Sequence, residues 1–267
     1  MRHQFPYFCR MQIIDTHTHL YVEEFDTDRD HVITRALSEG VEAFYLPSID
    51  SSYTDRMYAL EAAYPGKIHL MMGLHPTHVK EDMEEELAHV KNSLDARSFS
   101  AVGEIGIDLY WEKRFLKQQQ DAFDRQIKWA KSKQLPIVIH CRDAFEEVFE
   151  VLESNKGGDL RGIFHCFTGT LSDAQRAIGY NLKLGIGGVV TFKNGKIDQF
   201  LNELPLESMV LETDAPYLAP VPYRGKRNES AYLPLIASRL AEVYQCDIDT
   251  IAKQTTKNAR MVFDLQG

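Results

Sequence analysis

One unit recurs along the chain: a short apolar strand, a loop, then a stretch with helical spacing. Strands are predicted over residues 11–16, 41–47, 68–74, 100–105, 136–141, 162–166, 181–186 and 208–212. Helices are predicted over 27–39, 51–64, 83–96, 115–133, 144–152, 172–178 and 197–204, with two more, 231–244 and 247–263, closing the chain. The punctuation fits helix chemistry: Asp26 or Thr27 as a first cap, Gly40 as a stop, and Pro65-Gly66 after the second helix. In the fourth helix Phe123, Ile127 and Ala130 fall on one face. Short apolar strands flanked by helices imply a parallel sheet covered on its outer side. Eight such units in 267 residues predict one α/β domain, a closed (β/α)8 barrel spanning 1–267. The competing open doubly wound sheet usually opens with a Gly-rich turn. Here the first strand runs into Asp15-Thr16-His17-Thr18-His19 instead.

On an extended strand, residues two apart point the same way, so His17 and His19 can aim two imidazoles at one point. Other chemistry-bearing residues close later strands: His75, Glu104, His140, His165, and Glu212 with Asp214. In a barrel all of these ends share one rim, where such folds place their chemistry. A buried Glu104 flanked by Ile105 and Ile107 is costly without a cationic partner. The pattern predicts a metal centre built from His17, His19, Glu104, His140, His165 and Asp214. Six ligands exceed the needs of one tetrahedral zinc, so two divalent ions about 3.5–4 Å apart are expected. Glu104 is expected to bridge them, with His17, His19 and Asp214 on one ion and His140 and His165 on the other. The donor set suits Zn, Mn, Fe or Co better than Ca, and Mg is compatible with the cell. Such a pair activates water at neutral pH and clamps the oxygens under attack. Asp214 and Glu104 are therefore the expected catalytic residues, Asp214 as the base that takes the proton from water. Glu212 shares the face of Asp214 and is expected to orient a ligand from behind. Strand alternation turns Cys141 and Cys166 away from the adjacent histidines, toward the outer helices.

Charge narrows the partners. Lys+Arg 30 against Asp+Glu 39 gives a net charge of −9, which argues against broad coating of nucleic acid by charge. Four scattered cysteines, Cys9, Cys141, Cys166 and Cys246, imply no disulfide framework and a reducing, cytoplasmic setting. The stretch 1–10 does not read as a signal peptide. No apolar run approaches the roughly 20 residues of a membrane helix, so no membrane partner is expected. A monomer is the simplest assembly, although oligomeric state is not written in the sequence. The Pro-rich stretch 215–222 reads as an active-site loop.

At these residues the chain resembles the TatD family of metal-dependent hydrolases, within the amidohydrolase superfamily of barrels. The matching pieces are Asp15-Thr16-His17-Thr18-His19, Gly73-Leu74-His75-Pro76, Val102-Gly103-Glu104-Ile105-Gly106-Ile107-Asp108 and Pro136-Ile137-Val138-Ile139-His140-Cys141-Arg142. They continue through His165-Cys166-Phe167-Thr168-Gly169 and Leu211-Glu212-Thr213-Asp214-Ala215-Pro216, in family order across nearly the whole chain. The resemblance implies a TIM-type barrel, a two-metal site on the same six residues, and deoxyribonuclease activity, often as a 3′-to-5′ exonuclease. Two pieces depart from the family pattern. Thr18 stands where the family often has Cys, and the segment Arg224-Gly225-Lys226-Arg227-Asn228-Glu229 lacks the family's later proline.

A phosphodiester of DNA suits two divalent ions, which stabilise both the attacking and the departing oxygen. Arg142 at the rim, Arg224 with Lys226 and Arg227 in the last loop, and His75 are the expected phosphate contacts. Tyr217 and Tyr223 are candidates for stacking on a base. The alternative is a hydrolase of a small amide, lactone or phosphoester on the same site. A non-catalytic metal-binding protein is the third reading.

Overall fold

The computed structural model describes residues 11–111 and 113–263. The expectations for 1–10, Cys9 included, lie outside the described residues. Strands β1 (Ile13–Asp15), β2 (Val41–Leu46), β3 (Ile68–Met72), β4 (Ala101–Asp108), β5 (Ile137–Arg142), β6 (Gly162–Phe164), β7 (Leu182–Ile186) and β8 (Met209–Leu211) pair in sequence order, all parallel. Six helices follow the first six strands: α1 (Arg29–Ser38), α2 (Thr54–Ala63), α3 (Met83–Ala96), α4 (Leu116–Ser132), α5 (Phe145–Ser154) and α6 (Leu171–Gly179). Then α7 (Leu233–Tyr244) and α8 (Ile248–Val262) follow β8. This is the (β/α)8 barrel that the repeating unit predicts. Among the described residues no helix is long and apolar enough to cross a membrane.

The period of two sorts the strand residues. Ile14, Tyr45, Met71, Ala101, Val138, Ile163 and Val210 form one buried cluster, closed by Ala259 and Val262 of α8 and by Phe263. Phe263 stacks on Tyr45 at a centroid distance of 3.8 Å, so the end of α8 stoppers this cluster. Val138 shares a strand face with His140, and Val210 with Glu212. The cluster is therefore the floor beneath the predicted site. The alternate residues, such as Phe44, Ile137, Ile139 and Leu184, belong to the larger core that also holds the helices' apolar faces.

β1 and β8 meet without an extended ladder. Thr16 donates from both its N–H (3.1 Å) and its hydroxyl (2.9 Å) to the Leu211 carbonyl, and Thr18 bridges Ala215. Buried Asp15 spans the same junction, accepting from the Thr213 hydroxyl (2.7 Å) and N–H (3.0 Å) and from the His17 N–H at 3.4 Å. Burial pushes its carboxyl up to about 7 against those hydrogen bonds.

Four expectations need correction. β1 ends at Asp15, so His17 and His19 lie beyond it. Their approach is set by Thr18 N–H bonding to the Tyr45 carbonyl and His19 N–H to the Ala215 carbonyl, rather than by strand alternation. β4 runs on to Asp108, three residues past the expected end, because Gly106, Ile107 and Asp108 keep pairing with β5. Gly106 takes φ +145°, and a Cβ there would sit 2.0 Å from the His140 carbonyl oxygen, so only glycine fits. The predicted helix 197–204 is two 3₁₀ turns, Ile197–Gln199 and Leu201–Glu203. Lys196 enters them in the left-handed region and Phe200 interrupts them. Finally, β6 ends at Phe164 and Cys166 adopts φ +43°, so alternation fails there. Cys166 faces the site cavity instead of the outer helices, and Cys141 touches that cavity while packing on the core.

Candidate metal centre

Glu104 lies at the middle of the rim cluster, 2 % exposed. Its two oxygens face different sets of imidazoles. Oε2 lies 3.1 Å from His17 Nε2 and 3.7 Å from His19 Nε2. Oε1 lies 2.9 Å from His140 Nδ1, 3.4 Å from His75 Nε2 and 3.7 Å from His165 Nε2. Asp214 Oδ1 stands 3.4 Å from His19 Nε2 and 3.8 Å from both His17 Nε2 and His165 Nε2. His17 and His165 stack face to face at 3.4 Å. The left-handed backbone at Asp214 (φ +56°) and its N–H bond to the His17 carbonyl (2.9 Å) turn the carboxylate inward.

The outer atoms of these rings show which nitrogens are free. Tyr21 donates its hydroxyl hydrogen to the Pro47 carbonyl (2.6 Å), so toward His19 Nδ1, at 2.9 Å, it can only accept. His19 therefore carries its proton on Nδ1 and points a lone pair from Nε2 into the site. Asp108 accepts from His140 Nε2 (2.9 Å), and Glu212 faces His165 Nδ1 (2.9 Å) while accepting the Cys166 N–H (2.7 Å). At His19 and His140 an acceptor behind the ring fixes the tautomer and leaves the inner nitrogen for a cation, the arrangement typical of metal-binding histidines. Glu212 lies close behind His165 without hydrogen-bond geometry. His17 Nδ1 is buried with no hydrogen-bond partner among the described residues, which leaves Nε2 as its working atom. Sets of three donors lie within mutual reach: His17, His19 and Glu104; His17, His165 and Asp214; His75, Glu104 and His140. This donor chemistry fits divalent cations. His165 reaches both groups, through Glu104 Oε1 beside His140 and through Asp214 Oδ1 beside His17.

Electrostatics point the same way. Glu104, Asp108, Glu212 and Asp214 crowd together, and among the described residues their carboxylates face imidazoles and N–H groups rather than Lys or Arg. Burial opposes ionisation of Glu104, yet the surrounding histidines hold its carboxyl well below the usual range. Burial likewise disfavours imidazolium at His165, but Glu212, Glu104 and Asp214 together push it up to about 10. Negative charge thus exceeds what neutral imidazoles balance, and a bound cation would supply the difference.

His75 is a different kind of group. Its Nδ1 accepts the Thr77 N–H (3.1 Å), so its proton sits on Nε2, facing the cavity. Burial lowers it to about 4 and keeps it neutral. It is a donor aimed at the site. Arg142 lines the same ≈ 640 Å³ cavity. Arg224 does not: it lines a neighbouring ≈ 750 Å³ groove, over the Phe192 ring at 4.3 Å, which shares Thr168, Val189 and Leu218 with the cavity. Arg227 makes a two-pronged ion pair with Asp28 (2.8 and 2.7 Å) and donates to the Glu24 carbonyl, bracing the last loop against the start of α1. Tyr223 stacks on Tyr232 at 4.2 Å, whereas Tyr217 lines the cavity. Buried Thr18 contributes its backbone to the seam. Sequence reasoning missed Asp108, Asp15 and Tyr21 as site residues. Asp108 had a signal, being four residues from Glu104 and so on its strand face.

A rim of histidines and carboxylates at the C-terminal mouth of a parallel barrel defines a metal-dependent hydrolase. The TatD-related DNase family profile matches residues 14–264. A Bacillus subtilis protein described as uncharacterized metal-dependent hydrolase YabD is 38 % identical over 94 % of this chain and 98 % of its own. A Yersinia pseudotuberculosis protein described as 3′-5′ ssDNA/RNA exonuclease TatD is 30 % identical over 95 % of this chain and 100 % of its own. The crystal structure of the Escherichia coli TatD homologue YjjV superposes with a TM-score of 0.89 at 28 % identity, covering 96 % of this chain and 99 % of that one. The chain belongs to the TatD family of metal-dependent hydrolases, which act on ester bonds.

Proposed function

We infer that this hydrolase cleaves phosphodiester bonds of DNA, working from the 3′ end of a single strand. The observation that carries the reading is the split of Glu104, with Oε2 toward His17 and His19 and Oε1 toward His75, His140 and His165. A carboxylate shared in this way suits two divalent ions, Zn, Mn or Mg, held by His17, His19, Glu104, His140, His165 and Asp214. When bound, such a pair makes water nucleophilic and offsets charge on the phosphate. Asp214 takes the water's proton. Neutral His75 donates Nε2–H to a phosphate oxygen, and Arg142 adds charge at the mouth. Glu212 and Asp108 hold His165 and His140 in orientation. The names of the exonuclease relatives support the substrate class.

A chelator is expected to abolish hydrolysis of a labelled single-stranded oligonucleotide, and Mn²⁺ or Mg²⁺ to restore it. Asp214→Asn is expected to lower kcat roughly 10²–10⁴-fold while elemental analysis still finds metal. Turnover that survives metal removal contradicts the reading. The net charge of −9 and the engagement of Arg227 by Asp28 favour a second reading, a small phosphoester substrate. Salt separates the two, since contact with several phosphates makes binding fall steeply with ionic strength.

A further inference from the structure

The loop leaving β4 presents Trp111, 69 % exposed, and Tyr110, 53 % exposed. A ring so exposed adds little to folding, because apolar surface left in water gains no burial energy. Trp129, by contrast, is partly buried against the core. The exposed pair is also held by contacts. The Arg142 guanidinium lies 3.7 Å from the Tyr110 ring centre and 5.5 Å from that of Trp111, and the two rings meet edge to face at 4.9 Å. Both backbone N–H groups, of Tyr110 (3.0 Å) and Trp111 (3.1 Å), donate to Asp108 Oδ1. The other oxygen of that carboxylate accepts from His140. Leu109 N–H bonds to the Arg142 carbonyl at 2.9 Å, tying the loop to β5. Trp111 and Arg142 line the cavity that holds Glu104, His140 and Asp214, with Tyr217 and Leu218 also on its wall.

We propose that Trp111, backed by Tyr110 and Arg142, is the platform on which the terminal nucleobase of the strand stacks. The proposal rests on the phosphodiester reading above and names a contact that reading leaves open. Nucleobases offer π-faces of every sequence, and flat rings beside cationic groups bind them without sequence preference. The guanidinium favours this occupant over an apolar protein surface, which would desolvate Arg142 without pairing it.

The test uses the full-length protein in Mg²⁺ and a single-stranded oligonucleotide whose terminal linkage is a phosphorothioate, to slow cleavage. Its 3′-terminal nucleotide carries either 2-aminopurine or no base. Trp111→Ala is expected to weaken binding of the base-bearing end roughly 5- to 150-fold and to abolish the quenching of 2-aminopurine. Trp111→Phe is expected to keep most of both. Removing the base should cost the wild type about as much, and Trp111→Ala should add little on the abasic end. Equal affinity of wild type and Trp111→Ala for the base-bearing end overturns the proposal, as do losses that multiply when ring and base are both removed. Cleavage of an unmodified strand by the wild type is scored separately. No cleavage with overlapping losses sinks the nuclease reading and keeps the platform, whereas cleavage with independent losses does the reverse.

Discussion

Asp108 divides its two oxygens between tasks: one holds the His140 ring, the other the backbone of Tyr110 and Trp111. Asp108→Asn keeps one acceptor oxygen for two jobs, so an NH2 group must face either His140 Nε2–H or the Tyr110 and Trp111 N–H groups. A 10- to 100-fold loss of metal affinity or activity is expected, of order 1.4–2.7 kcal/mol, measured by competition with a chromophoric chelator. Unchanged affinity would remove Asp108 from the site. The six clustered donors were legible because each lies within or just beyond a strand, and the fold turns the C-terminal ends of all the strands to one rim. The roles of single arginines were not. Arg224 and Arg227 are three residues apart in one basic stretch, yet one lines a groove and the other pins Asp28 at the start of α1. That distinction depends on a partner about two hundred residues away in sequence.

At the scale of elements, the sequence marks eight strands well and the crossover before β8 poorly. Residues 197–204 carry helical apolar spacing, but left-handed Lys196 and the break at Phe200 leave room only for single turns. The extension of β4 was hidden too, because Gly106 reads as a stop in sequence and works in the fold as a point of close approach to β5. Element ends also carry a pH dependence. The Arg227 guanidinium holds the Asp28 carboxyl below its ordinary 3.8. A carboxyl lowered on folding stabilises the protein above its unfolded value, and that gain is lost as pH falls through the lower, folded value. Arg227→Ala is therefore expected to cost about 0.5–1 kcal/mol near neutral pH, discounted for solvent screening. The deficit should shrink as pH falls below the ordinary 3.8, as read from urea denaturation at several pH values. A pH-independent deficit would mean that Arg227 acts through packing on Phe25 instead.

For the whole molecule, the cluster of like charges at the mouth makes cations a stabilising ligand. At a free metal concentration about 100 times its Kd, one ion adds about 2.7 kcal/mol. For a chain of this size the Tm should rise by roughly 5–10 °C on loading and fall back with chelator, as followed by calorimetry. Loading that leaves the Tm unmoved would mean that the cluster does not bind metal in the folded state. The barrel closes where β1 meets β8, and Thr16, Thr18 and Asp15 hold that junction. His17 and His19 leave one side of it and Asp214 the other. A chain still being synthesised thus carries an unfinished ring and an incomplete set of donors. Hydrolytic competence cannot precede completion, so a partly made copy has no working site.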